Sequence, residues 1–172
     1  NGGEEVLLDN KSKDFFFLRR ENEREIPETI AKLITERLPR AYGDSIREGI
    51  QVVTPSRRGS CGVDVLNKAL QDSINPPAKF KKERQAHGTV FREGDRVMQT
   101  KNNYDLEWER PDGNGFGVFN GDIGFIESIN YAEQCMEIMF DDRHTVYDLS
   151  ILDELEHAYA VTVHKSQGSE YP

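Results

Sequence analysis

Two short stretches of the sequence gather side chains that can do chemistry. The last fifteen residues, "AYAVTVHKSQGSEYP" (158–172), set Thr162, His164, Lys165, Ser166, Gln167, Gly168, Ser169 and Glu170 behind an apolar, β-branched run. In open α/β sheets, ligands bind at the carboxyl ends of strands. Hydroxyl and imidazole groups donate to phosphate oxygens. A glycine lets the backbone approach a ligand closely, and an acidic side chain accepts from a sugar hydroxyl. A nucleotide or a phosphate backbone therefore suits this loop, but a plain polar turn fits the residue types equally well. The second stretch, "TPSRRGSCGVDVLN" (54–67), puts Arg57 and Arg58 after an apolar strand, with Gly59 and Gly62 before a helix. Paired arginines there suit an anion or phosphate group. On chemistry alone, a basic turn at the start of a helix is the simpler reading.

Other chemistry is missing from the sequence. It contains no G-x-x-x-x-G-K-[ST] phosphate loop, no G-x-S-x-G, no H-E-x-x-H and no calcium loop. His87, His144, His157 and His164 are scattered without the spacing of a metal set, and we expect no metal site. Cys61 and Cys135 lie far apart without CxxC spacing. That usage fits a reducing cytosol, so we expect a cytoplasmic protein without a disulfide framework.

The elements that must position these stretches can be read from periodicity. "DFFFL" (14–18) is expected to be a buried strand. In the next segment Ile26, Ile30, Leu33, Ile34 and Leu38 recur at helical spacing, with Pro27 in the first turn and Gly43 beyond the end. Ile50 to Val53 predicts a central strand that Pro55 stops. Val63, Leu66, Leu70 and Ile74 share one helix face, closed by Pro76 and Pro77. Strand, helix, strand, helix is the grammar of a parallel α/β sheet.

After "NPPAKFKKERQAHG" the pattern changes. "DRVMQTKN", "VFNGDIGFIESIN" and "QCMEIMFDDRHTVYDLS" predict short strands, with a hairpin at Asn120-Gly121 and a turn at Asp141-Asp142. The polar, Gly-rich segment 102–118 reads as a long hairpin loop. Close-set strands of this kind predict a small β-barrel. "AYAVTV" (158–163) then returns to the buried style of the first region.

At 172 residues the chain has room for one domain or two small ones. No apolar run approaches the roughly 18 residues of a membrane helix, and no secretory pattern opens the chain. It begins without an initiator Met, so we expect a piece of a longer protein. The net charge of −9 by itself argues against a nucleic-acid binder. The charge is uneven, however. Residues 79–101 hold seven Lys/Arg against Glu83, Glu93 and Asp95, while 102–172 is acidic. That basic strip can meet phosphates or stand as a solvated linker.

Three segments together carry a family resemblance. "VVTPSRRGSCGVDVLNKALQDSINP", "FREGDRVMQTKNNYDLEWE…VFNGDIGFI" and "YAVTVHKSQGSEYP" resemble, in that order, the C-terminal part of the RecD-like superfamily-one DNA helicases. The match is best to the stand-alone type once called exodeoxyribonuclease V alpha chain. The helicase part of conjugative relaxases is similar. The resemblance implies an α/β fold. Residues 13–87 and 151–172 would form a partial, parallel-sheet second RecA-like domain, and 88–150 an inserted small SH3-like β-barrel.

The resemblance also implies an ATP-driven motor that moves 5′ to 3′ on single-stranded DNA in recombination or repair. "TPSRRG" matches helicase motif IV, with Arg57 or Arg58 toward the nucleotide. "TVHKSQGSE" matches motif V. Thr162, His164 and Ser166 would meet DNA phosphates, with Lys165 and Gln167 beside them, and Gly168 and Glu170 would face the nucleotide. By the same resemblance the Walker A lysine, the Mg2+-binding acidic motif and the strand-separating pin precede Asn1. The motif VI arginine follows Pro172. The chain alone is therefore expected to lack ATPase and helicase activity. Its partners would be single-stranded DNA and the first RecA-like domain, and only the whole enzyme would bind ATP and Mg2+. The competing reading is a non-catalytic module that docks protein or DNA. A metabolic nucleotide-binding enzyme would need the phosphate loop the sequence lacks.

Overall fold

The computed structural model describes residues 15–167. Its first part is helical. The Asn22 side chain accepts from the Arg24 N–H and opens a 3-10 turn, Glu23–Glu25. Helix α1, Ile26–Lys32, follows with Pro27 near its start. The turn Leu33–Arg37 then widens, the Leu38 N–H reaching back to the Leu33 carbonyl, before α2, Leu38–Tyr42. Pro39 explains the widening: it has no N–H to give, and its ring crowds the carbonyl one turn back. Gly43 leaves the helix at φ 91°, a conformation glycine adopts without strain.

A short helix α3, Ile46–Gly49, leads to strand β1, Val52–Thr54, and the 12-residue α4, Val63–Ile74. The hairpin β2 (Glu83–Ala86) and β3 (Thr89–Arg92) comes next. Seven further strands follow: β4 Arg96–Gln99, β5 Asn103–Arg110, β6 Gly113–Val118, β7 Ile123–Asn130, β8 Cys135–Phe140, β9 Arg143–Asp148 and, after a 3-10 segment, β10 Leu155–His157. Strand β11, Ala160–Thr162, and a single helical turn α5, Val163–Ser166, end the described chain.

Three sheets result. β1 and β11 form a parallel pair. Strands β4 to β10 form an antiparallel sheet in the order β10-β4-β7-β8-β9-β5-β6, and β2 pairs with β3. The buried residues fall into three clusters, the smallest of which packs Met98 of β4 against Ala158 and Val161. Phe91, Val97, Ile126, Ile129, Met136, Ile138, Phe140 and Tyr147 are among those buried in the large sheet's core. Ala31, Ile34, Leu66, Leu70, Tyr159 and Ala160 bury α1 and α4 against β11. Among the described residues no helix is long and apolar enough to cross a membrane.

Several sequence expectations change. The large sheet is open, with β10 and β6 as its edges, where a barrel was expected. The free edge of β10 is covered instead of joined: the Asn67 amide on α4 donates to the His157 carbonyl at 3.0 Å. Residues 15–18 form no strand, and the Phe16 ring is 67% exposed. Among the described residues this run has no sheet neighbour to bury it. β1, expected to be central, has β11 as its one partner among the described residues, and Val53 is 44% exposed.

Segment 102–118 is a paired hairpin and not a loop. Asn120-Gly121 turns the chain but joins no hairpin, because the Gly121 N–H bonds to the Gln99 carbonyl and β7 pairs with β4 and β8. On α4, Ile74 is exposed, whereas Asn67, Gln71 and Asn75 beside the apolar face are buried.

Candidate functional site

The parallel register sets the site. Thr54 on β1 lies opposite Thr162 on β11, so loop 55–62 and turn 163–167 leave the same carboxyl end of the pair side by side. The first loop is folded on itself. The Thr54 hydroxyl donates to the Cys61 carbonyl at 2.8 Å, and the Ser56 hydroxyl to the Arg58 carbonyl at 2.8 Å. The Gly62 N–H meets the Gly59 carbonyl and the Val63 N–H meets that of Ser56. A Cβ on Gly62 would lie 2.4 Å from the Arg57 carbonyl oxygen, a backbone atom that cannot swing aside. We expect Gly62→Ala to cost on the order of 2 kcal/mol in a denaturant melt. An unchanged midpoint would show that this loop is not held as described.

The two arginines have different surroundings. Arg57 donates to both carboxylate oxygens of Glu156 on β10, at 2.7 and 3.1 Å, with Asp64 at 3.9 Å. The hydrogen bond and charge of Glu156 raise its pKa further. Arg58 is exposed, and its guanidinium has no partner among the described residues. The cation of this loop left for a ligand is therefore Arg58.

The second turn spends part of its chemistry on itself. The Lys165 N–H donates to the Thr162 hydroxyl oxygen at 3.3 Å, and the Ser166 hydroxyl donates to the Val163 carbonyl at 2.8 Å. The hydroxyl proton of Thr162 remains to be given, while that of Ser166 is committed. His164 and Gln167 are exposed. The Lys165 ammonium donates to the Asn120 side-chain oxygen at 2.6 Å, tying the turn to the β6–β7 connection. Gly168 and Glu170 lie outside the described residues.

The residues that sequence reasoning missed form the joint behind these loops. The Asp95 carboxylate is fully buried. Its Oδ2 accepts from Gln71 Nε2 (2.6 Å), the Arg92 N–H (2.8 Å) and His157 Nε2 (3.0 Å). Its Oδ1 accepts from Asn75 Nδ2 (2.7 Å) and the Tyr159 hydroxyl (2.9 Å). Helix α4, the β3–β4 turn, strand β10 and the β10–β11 connection thus meet on one anion. Burial pushes its pKa up, but the hydrogen bonds and charge of His157, with those of Asn75 and Tyr159, outweigh burial and hold it below the ordinary value. Asn67, one turn before Gln71, accepts from the Ala160 N–H at 2.7 Å and fixes β11 directly before Thr162.

Comparison with known proteins adds a separate line. Residues 66–140 match the family model of the ATP-dependent RecD-like DNA helicase SH3 domain. The chain is 37% identical over 122 residues to the ATP-dependent RecD2 DNA helicase of Deinococcus radiodurans, a match covering 71% of this chain and 15% of that protein. It is 30% identical over 143 residues to an uncharacterized protein of Methanocaldococcus jannaschii, covering 71% of this chain and 12% of the relative. It is 26% identical over 124 residues to the RecBCD enzyme subunit RecD of Buchnera aphidicola, covering 70% of this chain and 19% of that subunit. The chain thus spans less than a fifth of the length of the curated relatives it matches.

Proposed function

We propose, since this chain is a fragment of a RecD-like DNA helicase, that its two adjoining loops form one wall of a motor that moves single-stranded DNA 5′ to 3′. Residues 13–87 and 151–172 then belong to the second RecA-like domain, and 88–150 to its SH3-like insert. The observation that carries the reading is the register of Thr54 opposite Thr162, which puts loop 55–62 and turn 163–167 side by side, as motifs IV and V of such a motor would need. The exposed apolar groups of Phe15 to Leu18 and Val53 support a further layer supplied by the rest of the enzyme.

In this reading His164, Lys165 and the Thr162 hydroxyl meet DNA phosphates, with Ser166 and Gln167 alongside. Contacts of this kind hold a strand without reading its sequence. Arg58 faces the nucleotide phosphates, while Gly168 and Glu170 face the nucleotide, Glu170 at its ribose. Bound ATP would supply energy through transfer of its γ-phosphoryl group to water, and Mg2+ would neutralise phosphate charge in that step. The part of this chain is to present Arg58 as an uncompensated cation and to hold the DNA-facing turn on the same strand pair. The parent enzyme would then act in recombination or repair.

The test is fluorescence anisotropy of this chain with labelled oligo-dT at low salt. We expect weak binding that falls steeply with salt and drops at least fivefold in His164→Ala. Binding that is indifferent to His164 and maps to the large sheet would replace the motor wall with a docking module.

A further inference from the structure

One exposed feature is used by neither loop. On the large sheet, the Tyr104 and Phe119 rings meet edge to face, with centroids 5.7 Å apart and planes at 71°. They stay on the surface, Tyr104 66% and Phe119 41% exposed. The pair is seated, not loose. Gly117, at φ 100°, leaves room for the Phe119 ring, since a Cβ there would lie 2.8 Å from Phe119 Cζ. The Phe119 N–H is held by the Asp122 carboxylate at 3.0 Å.

A chain of polar contacts joins this platform to the second loop. Lys165 donates to the Asn120 side-chain oxygen at 2.6 Å, the Asn120 N–H donates to the Asn102 side-chain oxygen at 3.0 Å, and the Asn102 amide reaches the Tyr104 hydroxyl at 3.3 Å. The aromatic pair therefore continues the surface of the turn that carries His164 and Lys165.

We propose that Tyr104 and Phe119 form a stacking platform for bases of single-stranded nucleic acid leaving the His164–Lys165 turn. The inference rests on the strand reading above. Charge decides which part of the strand the platform takes. Asp105 and Glu107 lie exposed on the same strand as Tyr104, and the acidic sequence around them repels phosphates. A flat apolar ring needs no charge to stack on a base, and it does so whatever the base. The platform thus takes bases, and the turn takes phosphates.

The experiment compares two labelled probes of equal length on this chain, oligo-dT and a fully abasic oligonucleotide, which keeps the phosphates and loses the bases. We expect the unchanged chain to prefer oligo-dT about tenfold. We expect the double variant Tyr104→Ala, Phe119→Ala to lose that preference while its abasic binding, and the dependence of that binding on His164, stays intact. Equal affinity of the unchanged chain for both probes overturns the platform and leaves the patch as a protein contact. So does a variant that keeps the preference. Indifference of both probes to His164→Ala overturns instead the strand reading beneath it. A second measurement avoids any question of folding. Iodouracil-bearing DNA irradiated on the unchanged chain should cross-link to Tyr104 or Phe119, and cross-links confined to other residues overturn the platform.

Discussion

Asp95→Ala is expected to lower the stability of this chain by about 3–5 kcal/mol, the range for removing one partner of a buried charged network. Five donors converge on that carboxylate from four parts of the chain. Removing it strands the hydroxyl of Tyr159 and leaves the amides of Gln71 and Asn75 with only the Val90 and Glu93 carbonyls to accept from them. Each stranded buried donor carries a desolvation penalty of about 1–3 kcal/mol. For a chain of this size the melting temperature should drop by roughly 10 °C or more. Asp95→Asn keeps the volume but turns an amide NH2 toward the donors, so it should lose nearly as much. A melt by circular dichroism within about 3 °C of the unchanged chain would refute this account of the joint.

The same carboxylate sets a pH dependence. Its pKa lies below the ordinary 3.8, so the folded state favours the ionised form. That contribution is complete above the unfolded value of 3.8 and is lost as the pH falls through the lower native value. Stability should therefore fall steeply in acid below about pH 4. In Asp95→Asn that part of the acid slope should be missing, even though the variant is weaker at neutral pH.

The positions of the two loops were legible because local chemistry marks them. β-branched residues followed by Pro55, and the glycines at 59 and 62, announce a strand, a tight loop and a helix whatever lies elsewhere. The joint was not legible, because its members are polar and far apart in sequence. Asn67, Gln71 and Asn75 stand one helical turn apart, a spacing that reads as a solvated stripe. The acceptor of Gln71 and Asn75 lies twenty residues beyond Asn75, in a turn whose acid looked like one more surface charge, and Asn67 bonds the backbone of His157 and Ala160 still further on. Three amides in register beside an apolar face, followed by a Gly-Asp turn, are the signal that could have found it.

The hairpin at 102–118 was hidden by its glycines. Gly115 and Gly117 lower strand propensity, yet they make room for the rings of Trp108 and Phe119, whose atoms would lie within 2.4 and 2.8 Å of an added Cβ. The Asn120-Gly121 signal was sound as a turn. It misled as a hairpin because pairing is settled by Gln99, more than twenty residues upstream.

The largest effect on turnover should come from Arg58. Under the proposed function, Arg58→Ala in the parent enzyme is expected to lower ATP hydrolysis on the order of 10²–10³-fold, the loss seen when one preorganised donor to developing charge is removed. Arg57 spends its fork on Glu156, so a phosphate would have to displace a bidentate carboxylate to reach it. Arg58 leaves the same loop with no partner for its charge among the described residues, on a backbone that Thr54, Ser56 and Gly62 hold in place. Arg57→Ala should therefore leave turnover within a fewfold, because it removes a half-exposed surface pair. Arg58→Lys should recover part of the rate, since it restores the charge without the planar fork. DNA affinity should be unchanged in all three variants, because the proposed function gives the strand to the turn that carries Thr162, His164 and Lys165. Steady-state ATPase assays with and without single-stranded DNA separate the cases. Loss of turnover in Arg57→Ala with Arg58→Ala active would exchange the two roles, and loss in neither would remove this loop from the nucleotide.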